Sequence, residues 1–398
     1  MKAKRFGWQA VAAAAMMAAC AAHAEEGGIQ YKVSGFGTIA ATAIDKSDLQ
    51  FRTSLTQSKG AGSTIDLGAD SRFGLQGVVN FGQGWSATAQ LLSIRRRVDS
   101  ALDSNRDFDI GIEWLFAQYA VTPSVDLRLG RVVLPAFMIS DSRNVGYSQP
   151  WLRAPLEVYG RMPLTTMDGL QGIWRIPVGD AVVSLQGGYG KSQTNISSGA
   201  TVIDAPSDWV ASVSAQLEWS DWLLRAGQVR SASPFSSPLL AGAGIPTPIE
   251  YTMRDKFTNV GLQYDNGTAI VMAEWASRDQ NDLPMTQAAL SGPALGAYQF
   301  ALAGKPLAKE KMWYVGAGWR FGKWLPMLTH GKYKSETVSS PNDWSSTNVS
   351  VRYDIANNVA LKAQIGRHEA KDSSSFVTAV GTDTRSVTSV AFGVDFVF

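Results

Sequence analysis

A two-residue periodicity recurs along the chain, and nothing else in the sequence limits its fold so strongly. Trp85, Ala87, Ala89 and Leu91 alternate with Ser86, Thr88 and Gln90. Phe73, Leu75, Val79 and Phe81 alternate with Arg72, Gln76 and Asn80. Trp209, Ala211, Val213, Ala215, Leu217 and Trp219 alternate with Ser212, Ser214, Gln216 and Glu218, and Val359, Leu361, Ala363 and Ile365 with Lys362, Gln364 and His368. Successive strand side chains point to opposite faces, so each such ribbon has one apolar and one polar face. A helix that spans a bilayer needs about 18 or more consecutive apolar residues, and the sequence after its first residues has no such run. Two arrangements fit this pattern. In a soluble sandwich the apolar faces pack on each other. In a membrane barrel they face lipid, and the polar faces line water.

Three features favour the barrel. Very short links join candidate strands at Gly82-Gln83-Gly84, Thr122-Pro123-Ser124, Pro177-Val178-Gly179-Asp180, Ser220-Asp221, Asn266-Gly267, Gly322-Lys323 and Asn357-Asn358. Between these pairs lie long segments at Lys46–Asp70, Val132–Met167, Ser231–Arg254 and Asp279–Glu310, the asymmetry of short periplasmic turns and long external loops. Aromatic residues Trp85, Tyr119, Trp219, Trp222, Tyr264, Trp319, Phe321 and Tyr353 gather beside the short links, as rings do at a membrane boundary. The chain also stops on Phe398, inside a pattern in which Val390, Phe392, Val394 and Phe396 alternate with Ala391, Gly393 and Asp395. A closed sheet needs such a last strand to pair with the first. Strands are expected to begin near Ile29, Ser71, Trp85, Asp109, Val125, Asp168, Ala181, Asp208, Trp222, Lys256, Thr268, Lys311, Leu325, Trp344, Val359 and Arg385, each of about ten residues. That makes an all-β transmembrane antiparallel up-and-down barrel of about sixteen strands, wide enough for an aqueous channel. The faces of Glu113 and Trp114 stay ambiguous at this level.

Only 18% of residues are charged, against about 25% in ordinary soluble chains, and Lys+Arg 36 nearly balance Asp+Glu 34. No polybasic arm is present to bind nucleic acid. Residues 1–24 read as an export signal: Lys2, Lys4 and Arg5, an apolar core from Gly7 to Ala19, and the A-x-A site Ala22-His23-Ala24. The barrel then occupies 25–398. The one cysteine, Cys20, lies in the leader, where Met17-Ala18-Ala19-Cys20 offers a competing lipidation site. Gly35-Phe36-Gly37-Thr38-Ile39-Ala40 fits G-x-G-x-x-A, but a dinucleotide site needs a following helix and a β-rich run continues instead. Beyond the leader only His330 and His368 remain, and His368 beside Glu369 is the one candidate catalytic pair. No zinc or calcium spacing occurs. Neither cofactor, metal nor enzyme activity is expected.

With these features the chain resembles the general Gram-negative porin family. The resemblance is carried by the leader, the first strand YKVSGFGTIA (Tyr31 to Ala40), the hairpins, LRLGR (Leu127 to Arg131) before a long third loop, and the terminal Phe398. It implies a homotrimer in the outer membrane that passes small hydrophilic solutes by diffusion. It also implies contact with lipid and lipopolysaccharide, and assembly by the barrel-assembly machinery through the C-terminal strand. In that family the third loop folds into the lumen with acidic groups opposite a basic wall. Here the loop reads ISDSRNVGYSQPWLRAPLEVYGR and lacks the family's short acidic motif, which leaves room for a substrate-selective pore for organic acids, sugars or phosphate.

Parity places Arg72, Arg128, Arg175, Arg225, Arg320, Arg352 and Lys362 on the polar faces, since a charge facing mid-membrane lipid costs about 2–4 kcal/mol. The third loop offers Asp141, Arg143, Arg153, Glu157 and Arg161, with Asp168 where the next strand starts. Wall arginines facing loop carboxylates would give a transverse field and a weak anion preference. Each arginine has a plainer alternative, holding a loop or touching lipopolysaccharide phosphate, and for Arg95-Arg96-Arg97 the lipid contact is favoured. A barrel enzyme or adhesin, and a secreted soluble all-β protein, are the rival classes. The protein is expected to partition into detergent and to change gel mobility on boiling. A single mobility and an aqueous partition would identify the soluble sandwich instead.

Overall fold

Hydrogen-bond closure organises the molecule. In the computed structural model, residues 29–57, 59–95, 108–160, 162–198, 201–237, 249–283, 308–337, 342–370, 377–379 and 386–398 are described. The leader with Cys20, and also Arg96, Arg97 and Arg161, lie outside the described residues. Sixteen antiparallel strands form a closed barrel. They are β1 (Gln30–Ile44), β2 (Arg72–Gly82), β3 (Trp85–Ile94), β4 (Asp109–Thr122), β5 (Val125–Val133), β6 (Thr166–Val178), β7 (Ala181–Ser198) and β8 (Thr201–Trp219). The second half holds β9 (Trp222–Ser237), β10 (Ile249–Asp265), β11 (Ala269–Leu283), β12 (Ala308–Trp319), β13 (Trp324–Thr337), β14 (Asn342–Ala356), β15 (Val359–Ala370) and β16 (Ser386–Val397). Each strand pairs with its chain neighbours, and β1 pairs with β16 from Phe36↔Val397 to Ile44↔Ser389.

Phe398 completes that seam. Its backbone exchanges two hydrogen bonds with Gly35, at 2.8 and 2.9 Å. The rings of Phe398 and Phe396 fill the space that side chains at Gly35 and Gly37 would need. Glycine is required there by close approach, which accounts for the nucleotide-like spacing in β1 without a nucleotide.

The expected faces hold over the lower barrel. Leu129, Val213 and Ile365 point outward and are exposed, while Gln90, Ser214 and Lys362 are buried on the inner face. The seven short links lie between strands as expected, and beside them rings pack at a tilt between neighbouring strands: Trp85 on Tyr119 at 4.6 Å, Trp222 on Tyr264 at 4.7 Å, and Trp324 on Tyr353 at 4.4 Å. A bulge resolves Glu113 and Trp114: Gln90 pairs with Trp114 but Leu91 with Ile112. The extra residue turns both side chains away from the outer face, on which Ile112 and Leu115 are exposed.

Two expectations change. Several strands are longer than about ten residues: β7 to β10 have 16 to 19, so Ser231–Ser237 and Ile249–Arg254 are strand rather than loop. Asp279–Leu283 and Ala308–Glu310 are strand as well. These extensions run past the segments in which apolar and polar residues alternate. The second change is inside. Phe257, Met272, Met312, Tyr314, Met327 and Tyr333 are buried on the inner faces of β10 to β13, and form an apolar cluster with Phe137, Trp151, Leu156, Val158 and Tyr159 of the third connection, 134–165. That connection holds a short helix, α1 (Leu156–Tyr159), which packs on β11 to β14. The first connection contributes Leu49–Phe51, paired with Val377–Ala379 as a small ribbon.

Trp151 is 2% exposed and meets Tyr314 edge-on at 5.6 Å. Trp151→Ala is expected to cost the packed third connection about 3–5 kcal/mol. Limited proteolysis should then cut within 134–165 while the detergent-embedded strands stay whole, and unchanged protection would refute this anchoring.

Candidate functional site: the basic wall and the third connection

All seven predicted basic residues lie on the inner face, yet they do different things. Arg72 on β2 reaches Arg143 O and Leu152 O, both at 3.4 Å, and Thr38 Oγ1 at 3.3 Å. Arg352 on β14 donates to Gln149 O at 3.0 Å and to Tyr147 O, lies over the Tyr147 ring at 4.7 Å, and pairs with Asp354 at 2.7 Å. Lys362 on β15 donates to Gly146 O at 2.7 Å and Trp151 O at 3.0 Å, and pairs with Asp395 at 2.7 Å. Arg225 on β9 reaches Pro135 O at 3.4 Å, with Gln216 at 3.0 Å and Ser214 at 3.2 Å. The third connection satisfies part of its backbone through its own turns, and its other buried carbonyls must find donors. These four cations supply them.

The other three line the wall away from those clamps. Arg175 pairs with Asp126 at 2.6 Å, and Arg320 grips Asp265 through two bonds of 2.6 and 2.7 Å. Arg128 is held by neutral groups, Gln118 Oε1 at 2.8 Å and Gln171 Oε1 at 3.4 Å, over the Phe116 ring at 4.9 Å. Asp141, exposed on the third connection, acts electrostatically on both Arg128 and Arg225. Among the described residues no carboxylate comes within ion-pair distance of Arg72, Arg128 or Arg225.

The predicted loop residues do not act as one set. Arg153 is buried against Asp70, with Nε to Oδ1 at 2.8 Å, and lies over the Phe51 ring at 4.9 Å. Burial pushes the Asp70 carboxyl up, but the Arg153 charge and the bonds from Arg153 and Thr42 outweigh it and hold the group below its ordinary range. Glu157 is fully buried on α1, where its carboxyl lies against Gly331 and meets Ser346. Burial raises it to about 7, and hydrogen bonds from Ser346 and the backbone offset only part of that. Glu274 on β11 accepts from Met138 N at 3.0 Å, Asn259 Nδ2 at 2.5 Å and the Tyr159 hydroxyl. Burial first, and then the Glu274 charge, push the Tyr159 phenol well above its usual range.

Three expectations are corrected. Asp168 points outward and makes a two-pronged pair with Arg131 at 2.7 and 2.8 Å. It follows Met167, which is fully buried on the inner face, so parity puts it on the opposite face of β6, at the margin of a cavity that Arg143, Asn144 and Tyr159 of the third connection also line. The pair sits where β4–β5 pairing ends, at Leu115↔Arg131, and Arg131 Nη1 caps the carbonyl of Ile112 at 3.3 Å. Arg95 is not a lipid-facing group: it is 3% exposed and bound to Asp66 at 2.9 Å. His368 and Glu369 form no dyad, because they occupy opposite faces of β15, with His368 buried between Phe51 and Trp344. Asp395 and Glu274 went unrecognised in the sequence. Parity with Ala391 and Gly393 puts Asp395 on the inner face, whereas no local pattern ties Glu274 to Met138, 136 positions away.

With this geometry in place, comparison with known proteins becomes informative. The family model for the Gram-negative porin matches residues 178–373, from the end of β6 to just past β15. No curated protein matches the chain in sequence. Among solved structures, the chain is similar to an anion-selective porin from Comamonas acidovorans at 14% identity and TM-score 0.58, covering 93% of this chain and 100% of that one. It is similar to OmpT of Vibrio cholerae in trimer form, at 14% identity and TM-score 0.56, covering 94% and 100%. The outer membrane channel DcaP of Acinetobacter baumannii aligns at 12% identity and TM-score 0.54, covering 94% and 99%. At such identities the solved structures speak for the fold alone. The closed sixteen-strand barrel, its aromatic band and the family match together place this chain among the Gram-negative porins, as a channel of the bacterial outer membrane.

Proposed function

We propose that the chain, after removal of residues 1–24, forms a homotrimer whose barrels pass small hydrophilic solutes by passive diffusion with a weak preference for anions. In this reading the third connection narrows the lumen. Its 146–159 part is bolted to β10 to β16, and the passage runs between Asp141–Asn144 and the wall that bears Gln118, Arg128, Gln186 and Gln216. The observation that carries the anion preference is the imbalance there: Arg128 and Arg225 lack carboxylate contacts, and Asp141 is the acid that acts on both. Lipid and lipopolysaccharide around the barrel, and an assembly machinery that engages the strand ending in Phe398, belong to the same proposal. A substrate-selective channel is the second reading, favoured by the unusual third loop, and a liposome-swelling series across sugars, organic acids and phosphate separates the two.

Reversal potentials in a salt gradient test the preference. The native channel should favour chloride, and Arg128→Glu should move the potential toward the cation side. A cation-selective native channel would refute the proposal.

Docking of α1 should depend on pH through Glu157. Its carboxyl is raised from 4.5 to about 7 in the docked state, so the docked state prefers the proton. Docking is therefore strongest below about pH 4.5, weakens as pH rises to about 7, and is level above that. The loss totals about 3 kcal/mol. Current noise from loop movement should rise across that window in the native channel and stay flat in Glu157→Gln. Equal pH profiles for the two proteins would count against it.

A further inference from the structure

A second feature lies on the long-loop side of the barrel, above Arg128. There the first connection, the start of β2, the end of β3 and the third connection enclose a cavity of about 130 Å³. Its charged lining, among the described residues, is Arg72, Arg95, Arg143, Arg153 and Asp70. The Arg153 guanidinium engages the Asp70 carboxyl, and Arg95 is compensated from behind by Asp66. Arg72 is different. Its contacts are neutral oxygens at 3.3 to 3.4 Å, long for hydrogen bonds to a guanidinium, and none is a carboxylate. Arg143, on the loop, faces the same space. Guanidinium groups converge on a planar or tetrahedral oxyanion better than on any neutral solute, because their paired N–H groups match its oxygens.

Resting on the channel function proposed above, we propose that this cavity is a capture site for a small oxyanion, with Arg72 and Arg143 as the residues that bind it. Arg95 and Arg153 are each matched by a carboxylate, so the charge of Arg72, which has no carboxylate contact, is the one an anion would neutralise. The size limits the class. At about 30 Å³ per water the cavity holds on the order of four waters, which suits phosphate or a short carboxylate better than a sugar or a nucleotide. Ile139, Arg143 and Asn144, which flank Asp141 in the chain, line the cavity, so an anion held there would sit beside the third connection's Asp141 segment. A site in a channel must also release what it binds, so its affinity is modest and its signature is saturable block.

Recordings in planar bilayers in potassium chloride decide the matter. Phosphate, acetate or succinate is added to the long-loop side, with erythritol as the neutral control. Oxyanions should reduce the chloride current saturably, and erythritol should not. Block by phosphate alone assigns the site to phosphate, block by the carboxylates alone assigns it to those, and block by both makes it a general oxyanion site. Arg72→Gln and Arg143→Gln should each raise the half-blocking concentration about tenfold, the loss of one charge-assisted donor group. Lys311→Gln, on the outer face of β12, should leave it unchanged. Should Arg72→Gln fail to fold, judged by its heat-modifiable mobility, Arg143→Gln decides alone. Chloride steps without oxyanion block, or block that neither arginine variant alters, would overturn the capture site and leave the channel standing. Absence of chloride steps from the folded native protein would overturn both.

Discussion

Hydrocarbon offers a backbone no hydrogen-bond partner, and the rest of this structure depends on that. An unpaired strand edge in the bilayer costs several kcal/mol for each orphaned group. The sheet must therefore close, and the closing seam is the most demanding part of it. Here β16 and β1 meet with their ladder intact, and Phe398 adds a further exchange with Gly35 beyond the last full pair. The rings of Phe396 and Phe398 lie on glycines of β1, so the seam presents a continuous apolar surface to lipid. The same solvent explains the outer face: apolar residues in the middle, and packed Trp–Tyr pairs at the rim beside the short links.

Closure creates a second problem, since a sixteen-strand cylinder is too wide for its wall side chains to fill. The third connection takes up part of that space, and it brings its own unsatisfied carbonyls. Wall cations resolve this. Lys362, Arg352, Arg72 and Arg225 donate to backbone oxygens of residues 135 to 152, and Asp395 and Asp354 balance two of them. Removing one such donor would strand a buried acceptor, which costs more than the net worth of the bond itself. The apolar inner faces of β10 to β13 then give α1 and Trp151 something to pack on. One side of the interior is thus a protein core, while on another part of the wall Arg128 is held by Gln118 and Gln171. Loop anchoring draws on the same residue type that the proposed anion preference needs, so a count of wall arginines overstates the charge left unengaged.

Much of the fold was legible in the alternation because lipid and water impose opposite demands on neighbouring residues. Trp85 to Leu91, Val359 to Ile365 and the terminal strand show it plainly. Where that contrast fades, so did the signal: β7 to β10 run on past their alternating stretches, and the inner faces of β10 to β13 carry apolar residues as their outer faces do. The basic wall was legible by parity, but its division into groups that clamp the third connection and groups that do not was not. Asp168 shows the limit most clearly, since one position of register separates a group inside the barrel from one paired with Arg131 on its outside.

What the sequence by itself determined is the closed barrel, its strand count, its aromatic rim and the inward set of cations, because each follows from local periodicity against two solvents. What only the tertiary structure decided is which inward groups meet. Lys362 reaches carbonyls more than 200 positions away, Glu274 grips Met138 and Tyr159, and Arg153 finds Asp70. Such pairings depend on how one long segment turns back across the interior, and no two-residue period encodes that path.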